Sequence, residues 1–347
     1  MTKEKRRGSH TVTLLRLPQF ELAEPKSVEE VVGLLEKYGD SARLMAGGTD
    51  LMPNMKHEFE TPDVVIGLGR IPHLKGVEQT AEGLRIGAMT TVHDIGNNEL
   101  VSKHLPSLAE ACQAIAGPQL RRMGTIGGNV CLDTRCVYIN QTYFWRQALG
   151  FCIKKDGTAC HVVTGGSRCV AAASNDSGPV LMSLGATLKL VSAKGERVVS
   201  IEDFYRNDGE FNQQRERNEL LTEIFIPMPK PNTVMAYEKL RTRAAIDYPE
   251  LGIAVLAELD SDKNILRADV CVTALGPKPI RVNRIASIYE NQKLDDATIK
   301  ALATAAHKRC KPLTNIASDP TYRREMVAVY VRRAFEKARA RNRLKVV

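Results

Sequence analysis

Between Thr125 and Asp176 the chain places a glycine turn and a cysteine cluster back to back. The stretch opens with Thr125-Ile126-Gly127-Gly128-Asn129 and carries Cys131, Cys136, Cys152, Cys160 and Cys169 from a total of 8 cysteines. It closes at Asn175-Asp176, before an apolar run resumes at Val180. A glycine pair lets backbone approach a ligand without Cβ interference. Clustered thiols in a reducing compartment favour a metal site over disulfides. A fold for this chain has to serve both features at adjoining places.

Cys136, Cys152, Cys160 and Cys169 are separated by 15, 7 and 8 residues, with no C-x-x-C pair. That spacing excludes a zinc ribbon and a bacterial ferredoxin signature. Iron–sulfur and zinc sites both accept four cysteines, so spacing does not choose between them, and unrelated buried cysteines are the alternative. Cys131 and His161 are further candidates. Arg135, Arg146, Lys154, Lys155 and Arg168 surround the cysteines; positive charge lowers the cost of burying an anionic cluster and can steer an acidic redox partner. Tyr143-Phe144-Trp145 either shields such a site from water or forms the insert's own small core.

A second glycine pair lies earlier. Ser27 with Glu30 reads as a capping box, and Val28, Val31, Val32 and Leu35 share a helical face ending near Gly39. Arg43 to Ala46 reads as a strand, followed at once by Gly47-Gly48-Thr49-Asp50-Leu51. The spacing is neither G-x-G-x-x-G nor Walker A. Paired glycines after a strand present backbone N–H groups to a phosphate, with Thr49 as a further donor; a plain tight turn is the alternative.

At 347 residues the chain suits about two or three domains. The expected division is a basic tail at 1–12, a first subdomain at 13–70, a second at 71–230 with the cysteine insert at 131–172, and a module at 231–347. Pro227, Pro229 and Pro231 mark the last boundary. The final region reads as a three-stranded antiparallel sheet with two helices, an α+β arrangement. Cys112, Cys271 and Cys310 fall at core positions. No run approaches a membrane span and the basic Met1–His10 stretch lacks a secretory apolar core, which makes a cytoplasmic location the expectation. The formal charge of +9 is not interleaved with aromatics, which are 5% of the chain, so nucleic-acid binding is not expected.

Ala46 to Leu51, Arg85-Ile86-Gly87-Ala88 with Thr90-Thr91, and Thr125 to Asn129 together resemble the FAD-binding subunits of the xanthine oxidase (molybdenum hydroxylase) family. The resemblance covers about residues 13 to 340. It implies the two-subdomain FAD-binding fold of the vanillyl-alcohol oxidase type, with a C-terminal α+β domain like that of the carbon monoxide dehydrogenase flavoprotein. It also implies FAD contacts at Leu44, Met45, Ala46, Gly47, Gly48, Thr49, Asp50 and Leu51, and at Thr125, Ile126, Gly127, Gly128 and Asn129. Ile115, Asp176, Leu221 and Lys239 complete the implied set. The insert resembles that of 4-hydroxybenzoyl-CoA reductase β subunits, which implies a [4Fe-4S] cluster on Cys136, Cys152, Cys160 and Cys169. The implied partners are a small [2Fe-2S] subunit and a large molybdopterin subunit in a dimer of heterotrimers, with ferredoxin as donor. The implied reaction is dehydroxylation of 4-hydroxybenzoyl-CoA to benzoyl-CoA. No catalytic acid, base or nucleophile is sought in this chain. The alternatives are an oxidative molybdenum hydroxylase using NAD or another acceptor, and a non-redox zinc module.

Overall fold

The computed structural model describes residues 15–344; the basic tail read at Met1–His10 lies outside them. Three sheets carry the described chain. The first is small and parallel: β1 (Glu21–Ala23), β2 (Ala42–Met45) and β3 (Val64–Gly67), in the order β1-β3-β2. The helix Val28–Tyr38 covers it with Val28, Val31, Val32 and Leu35, the face read from the sequence. Ser27 Oγ accepts from the Glu30 N–H at 3.2 Å, as the capping box requires. The Glu30 carboxylate reaches back one residue further than expected and accepts from the Lys26 N–H.

The second sheet has five strands: β4 (Val77–Gln79), β5 (Gly83–Gly87), β6 (Thr187–Ser192), β7 (Gly195–Ser200) and β8 (Leu220–Pro227), ordered β4-β5-β8-β6-β7. The helices Val92–Gly96, Pro106–Ala114 and Ser177–Ser183 pack on it around Leu108, Cys112, Val180 and Leu188. The third sheet contains β9 (Thr233–Leu240), β10 (Leu251–Leu259), β11 (Ile265–Thr273) and a two-residue β12 (Ile280–Arg281). It therefore has four strands where the sequence suggested three; β12 is too short to leave an alternation pattern. The helices Asp296–Arg309 and Pro320–Leu344 cover one face through Leu302, Val327, Val331 and Phe335. The other face meets the second sheet's core through Met235, Tyr237, Leu256 and Cys271.

Pro227 ends β8 and Pro231 precedes β9, so the prolines lie in the link between two sheets. The Thr125–Asn129 segment is not an open turn. It forms a short helix, Ile126–Val130, capped by the Thr125 hydroxyl. No helix among the described residues is long and apolar enough to cross a membrane.

Candidate functional site

The two glycine motifs face each other. A Cβ on Gly47 would lie 1.8 Å from the Met123 carbonyl oxygen, and one on Gly127 would lie 2.8 Å from both the Ala88 carbonyl oxygen and its Cβ. Glycine is required at both positions because backbone meets backbone there. Between and beside the motifs opens a cavity of about 950 Å³, at the upper end of the roughly 300–1,000 Å³ usual for ligand sites.

Its wall includes Leu44, Ala46, Gly47, Gly48, Thr49, Asp50 and Leu51 from the first motif. Thr125, Gly127, Gly128 and Asn129 from the second, with Ile115, Asp176 and Leu221, also line it. Among the described residues the N–H groups of Gly48, Thr49 and Asp50 make no hydrogen bond. The second motif works differently. Its Gly127 N–H donates to Ala88 and its Gly128 N–H to the Thr125 hydroxyl, so its glycines provide close approach while those donors are already used.

Three residues of the expected set stand apart from the others. Met45, Ile126 and Lys239 are not in the cavity wall. Met45 is followed by the left-handed Gly48, and its side chain packs beneath that residue. Ile126 faces the core as part of the short helix. Lys239 lies on β9 with its ammonium buried: Nζ donates to Ala114 O at 3.0 Å, to Asp247 O at 2.8 Å and to the Asp176 carboxylate at 3.0 Å. The Tyr237 hydroxyl donates to the same carboxylate at 2.7 Å. Burial pushes the Asp176 carboxyl above its usual range, while Lys239 and Tyr237 oppose that shift. Asp176 thus links the end of the insert to β9, while Asn129 Oδ1 accepts from the Ser177 hydroxyl at 2.6 Å and ties the insert's two ends together.

Cys136, Cys152, Cys160 and Cys169 line one small cavity of their own with Ile139, Ile153 and Val162. Three of them belong to a compact apolar cluster with Phe59, Ile139 and Ala171. Burial pushes the Cys136 and Cys169 thiols up, Cys169 to about 11. Among the described residues no three His, Cys, Asp or Glu side chains are gathered tightly enough for a single metal ion. The donor set is four thiols around a largely apolar space, a set that an iron–sulfur cluster accepts.

The shielding role expected of Tyr143-Phe144-Trp145 is not seen, since Phe144 is 66% and Trp145 38% exposed. Tyr138 and His161 stand over the cavity instead, their rings 5.1 Å apart, and His161 Nε2 is bonded to Phe151 O.

Lys154 belongs to the walls of both cavities. Its buried ammonium donates to Asp133 Oδ1 at 2.7 Å, Thr134 Oγ1 at 2.6 Å and Gly209 O at 2.6 Å. The expectation that it is a surface steering charge is therefore corrected. Arg135 crosses in the other direction, pairing with Asp50 of the first glycine motif and stacking 4.4 Å from the Tyr248 ring. Arg146, also buried, donates to the carbonyls of His57 and Glu58. Sequence reasoning missed residues 205–219, which supply Arg206, Asn212, Gln213 and Arg215 to the larger cavity, because that segment has no period and no motif.

Residues 18–229 match the family model described as the FAD binding domain in molybdopterin dehydrogenase. The chain belongs to this family. Residues 235–338 match the C-terminal domain of the CO dehydrogenase flavoprotein. The medium chain of carbon monoxide dehydrogenase from Hydrogenophaga pseudoflava is 31% identical over 93% of this chain and 98% of its own length. The FAD-subunit of nicotinate dehydrogenase from Eubacterium barkeri is 25% identical over 92% and 96%. The solved carbon monoxide dehydrogenase of Hydrogenophaga pseudoflava superposes with a TM-score of 0.78 at 29% identity, covering 94% of this chain and 99% of the other. The fold is thus that of the molybdenum hydroxylase flavin subunits. The chain is an oxidoreductase subunit, which sets aside the non-redox zinc module.

Proposed function

We propose that this chain is an electron-transfer subunit with two adjoining cofactor sites: FAD in the large cavity, and a [4Fe-4S] cluster on Cys136, Cys152, Cys160 and Cys169. The observation that carries this reading is the shared wall. The four cysteines converge on one cavity, and Lys154 lines both that cavity and the flavin's. FAD, when bound, supplies one- and two-electron chemistry, which allows it to link carriers of different type.

The chain's own residues do the rest. Gly47 and Gly127 permit close backbone approach, and the N–H groups of Gly48, Thr49 and Asp50 are available to a diphosphate. Lys154 places a fixed positive charge beside the thiolates a cluster requires, which eases their burial. Ile139, Ile153 and Val162 keep water from them.

In this reading a reduced ferredoxin donates at the insert. A small [2Fe-2S] subunit and a large molybdopterin subunit complete the enzyme, two copies of each of the three chains assemble in the cytoplasm, and 4-hydroxybenzoyl-CoA is dehydroxylated on the large subunit. An oxidative enzyme is the second reading, favoured by the relatives, which are named as dehydrogenases of carbon monoxide and nicotinate. Anaerobic mixing of the purified holoenzyme with reduced ferredoxin or with NADH separates them. Bleaching of the flavin by ferredoxin alone supports the first reading. Bleaching by NADH, with ferredoxin inert, overturns it in favour of the second.

A further inference from the structure

The wall between the two cavities has a charged centre. Among the described residues that line the cysteine cavity, Lys154 alone carries a permanent charge. The insert's other cations are engaged or turned elsewhere. Arg135 pairs with Asp50, Arg146 donates to the carbonyls of His57 and Glu58, Lys155 borders only the larger cavity, and Arg168 is exposed. The Lys154 side chain is 3% exposed, and three acceptors fix its ammonium. One of them, the Gly209 carbonyl, brings it up against a cysteine. The Gly209 N–H donates to Cys169 O at 2.9 Å, and a Cβ on Gly209 would lie 2.7 Å from Cys169 Sγ. A single glycine thus separates the ammonium from one of the four thiols.

The counter-ion belongs to the other side. Asp133 lines the larger cavity and not the smaller. Its Oδ1 accepts from Lys154 and from the Thr134 N–H, each at 2.7 Å, while the side chain stays 34% exposed. The pair is therefore an oriented dipole, its positive end on the cysteine side and its negative end on the flavin side. A fixed charge shifts a redox centre through its interaction with the added electron. That interaction falls with distance and is strongest where water is excluded, so each centre senses chiefly the nearer member of the pair.

We propose that the Asp133–Lys154 pair tunes the two redox centres in opposite directions. Lys154 raises the reduction potential at the cysteine site, and Asp133 lowers that of the flavin. The pair draws the two potentials together. An electron that arrives at the cysteine site then loses less reducing power on reaching the flavin, and more is left for the next carrier. Both residues act through their fixed charge; neither takes up an electron or a proton. The inference rests on the two-cofactor reading.

The test is an anaerobic redox titration of the purified full-length chain carrying both cofactors, with the flavin followed by visible absorbance and the cluster by low-temperature EPR. Lys154→Met is expected to lower the cluster potential and to move the flavin less. Asp133→Asn keeps an acceptor for Lys154 and the Thr134 N–H, removes the negative charge, and is expected to raise the flavin potential. Lys154→Arg keeps the charge and is expected to hold the cluster closer to its wild-type potential than Lys154→Met does. Unchanged potentials in both charge-removing variants overturn the inference. So do shifts of the same sign in both, which would reflect a distorted wall rather than charge. Should Lys154→Met fail to fold or lose the cluster, Asp133→Asn decides through the flavin alone: a rise supports the inference, and no change or a fall overturns it. A wild-type chain that binds FAD but no cluster would instead overturn the two-cofactor reading itself.

Discussion

The Lys154 ammonium lies 2.6 Å from the Gly209 carbonyl oxygen and 2.7 Å from Asp133, inside the wall that separates the two cavities. Lys155, next in the chain, is only half-buried. Two adjacent lysines thus have different work. Lys154→Glu would put a carboxylate against Asp133 and a carbonyl oxygen, and is expected to cost on the order of 3 kcal/mol or more. Lys155→Glu is expected to shift Tm by no more than about 2 °C. On the proposed function it also slows ferredoxin-linked reduction, more at low salt than at high. Thermal unfolding and stopped-flow reduction check both; equal destabilisation by the two substitutions would contradict the assignment.

Asp176 and Lys239 are the second close pair, both almost wholly buried, with 3.0 Å between Nζ and Oδ1. Asp176→Asn keeps an acceptor for the Tyr237 hydroxyl but leaves the ammonium without its counter-charge. A loss of about 3–5 kcal/mol is expected. The double variant Asp176→Asn with Lys239→Met is expected to lose clearly less than the sum of the two single losses. Denaturant unfolding measures all three; strict additivity would mean the pair is not coupled.

Gly47→Ala tests the approach of the two motifs. The added methyl meets the Met123 carbonyl oxygen, which is backbone and cannot rotate away. The motifs must separate, and FAD retention is expected to fall at least tenfold while the sheets stay folded. Flavin content after gel filtration, with far-UV circular dichroism, reads the two effects separately.

Acid should loosen the segment 205–219. Burial alone would raise the Glu219 carboxyl, but hydrogen bonds from Arg197 and the Glu216 N–H outweigh it and hold the carboxyl below the usual glutamate range. A depressed carboxyl contributes stability that is complete above its unfolded pKa of about 4.3 and is lost as pH falls through the folded value. Wild-type protein is therefore expected to lose a component of stability below about pH 4 that Glu219→Gln lacks at every pH. Parallel pH–stability curves for the two proteins would contradict this.

The sequence was most informative where chemistry leaves a local mark. Gly47, Gly127 and the cysteine quartet are legible because glycine pairs and clustered thiols are rare without a reason, and the structure brings each group to one cavity. Lys239 was legible as important but not as internal, since its carbonyl partners Ala114 and Asp247 come from separate parts of the chain. Lys154 was misjudged for the same cause: a lysine beside another lysine reads as surface until Asp133, Thr134 and Gly209 are seen around it. The 205–219 segment left no mark at all, because irregular chain has no period and its residues meet the larger cavity only through a wall built by distant parts of the sequence.

The central claim is that one chain holds a flavin and an iron–sulfur cluster side by side. Iron, acid-labile sulfide and flavin measured on the anaerobically purified chain and on its Cys152→Ser variant test it most directly. One FAD with about four iron and four sulfide is expected per wild-type chain, and FAD without iron in Cys152→Ser. Wild-type protein carrying flavin but no iron, or a Cys152→Ser protein that keeps its full iron content, would contradict it.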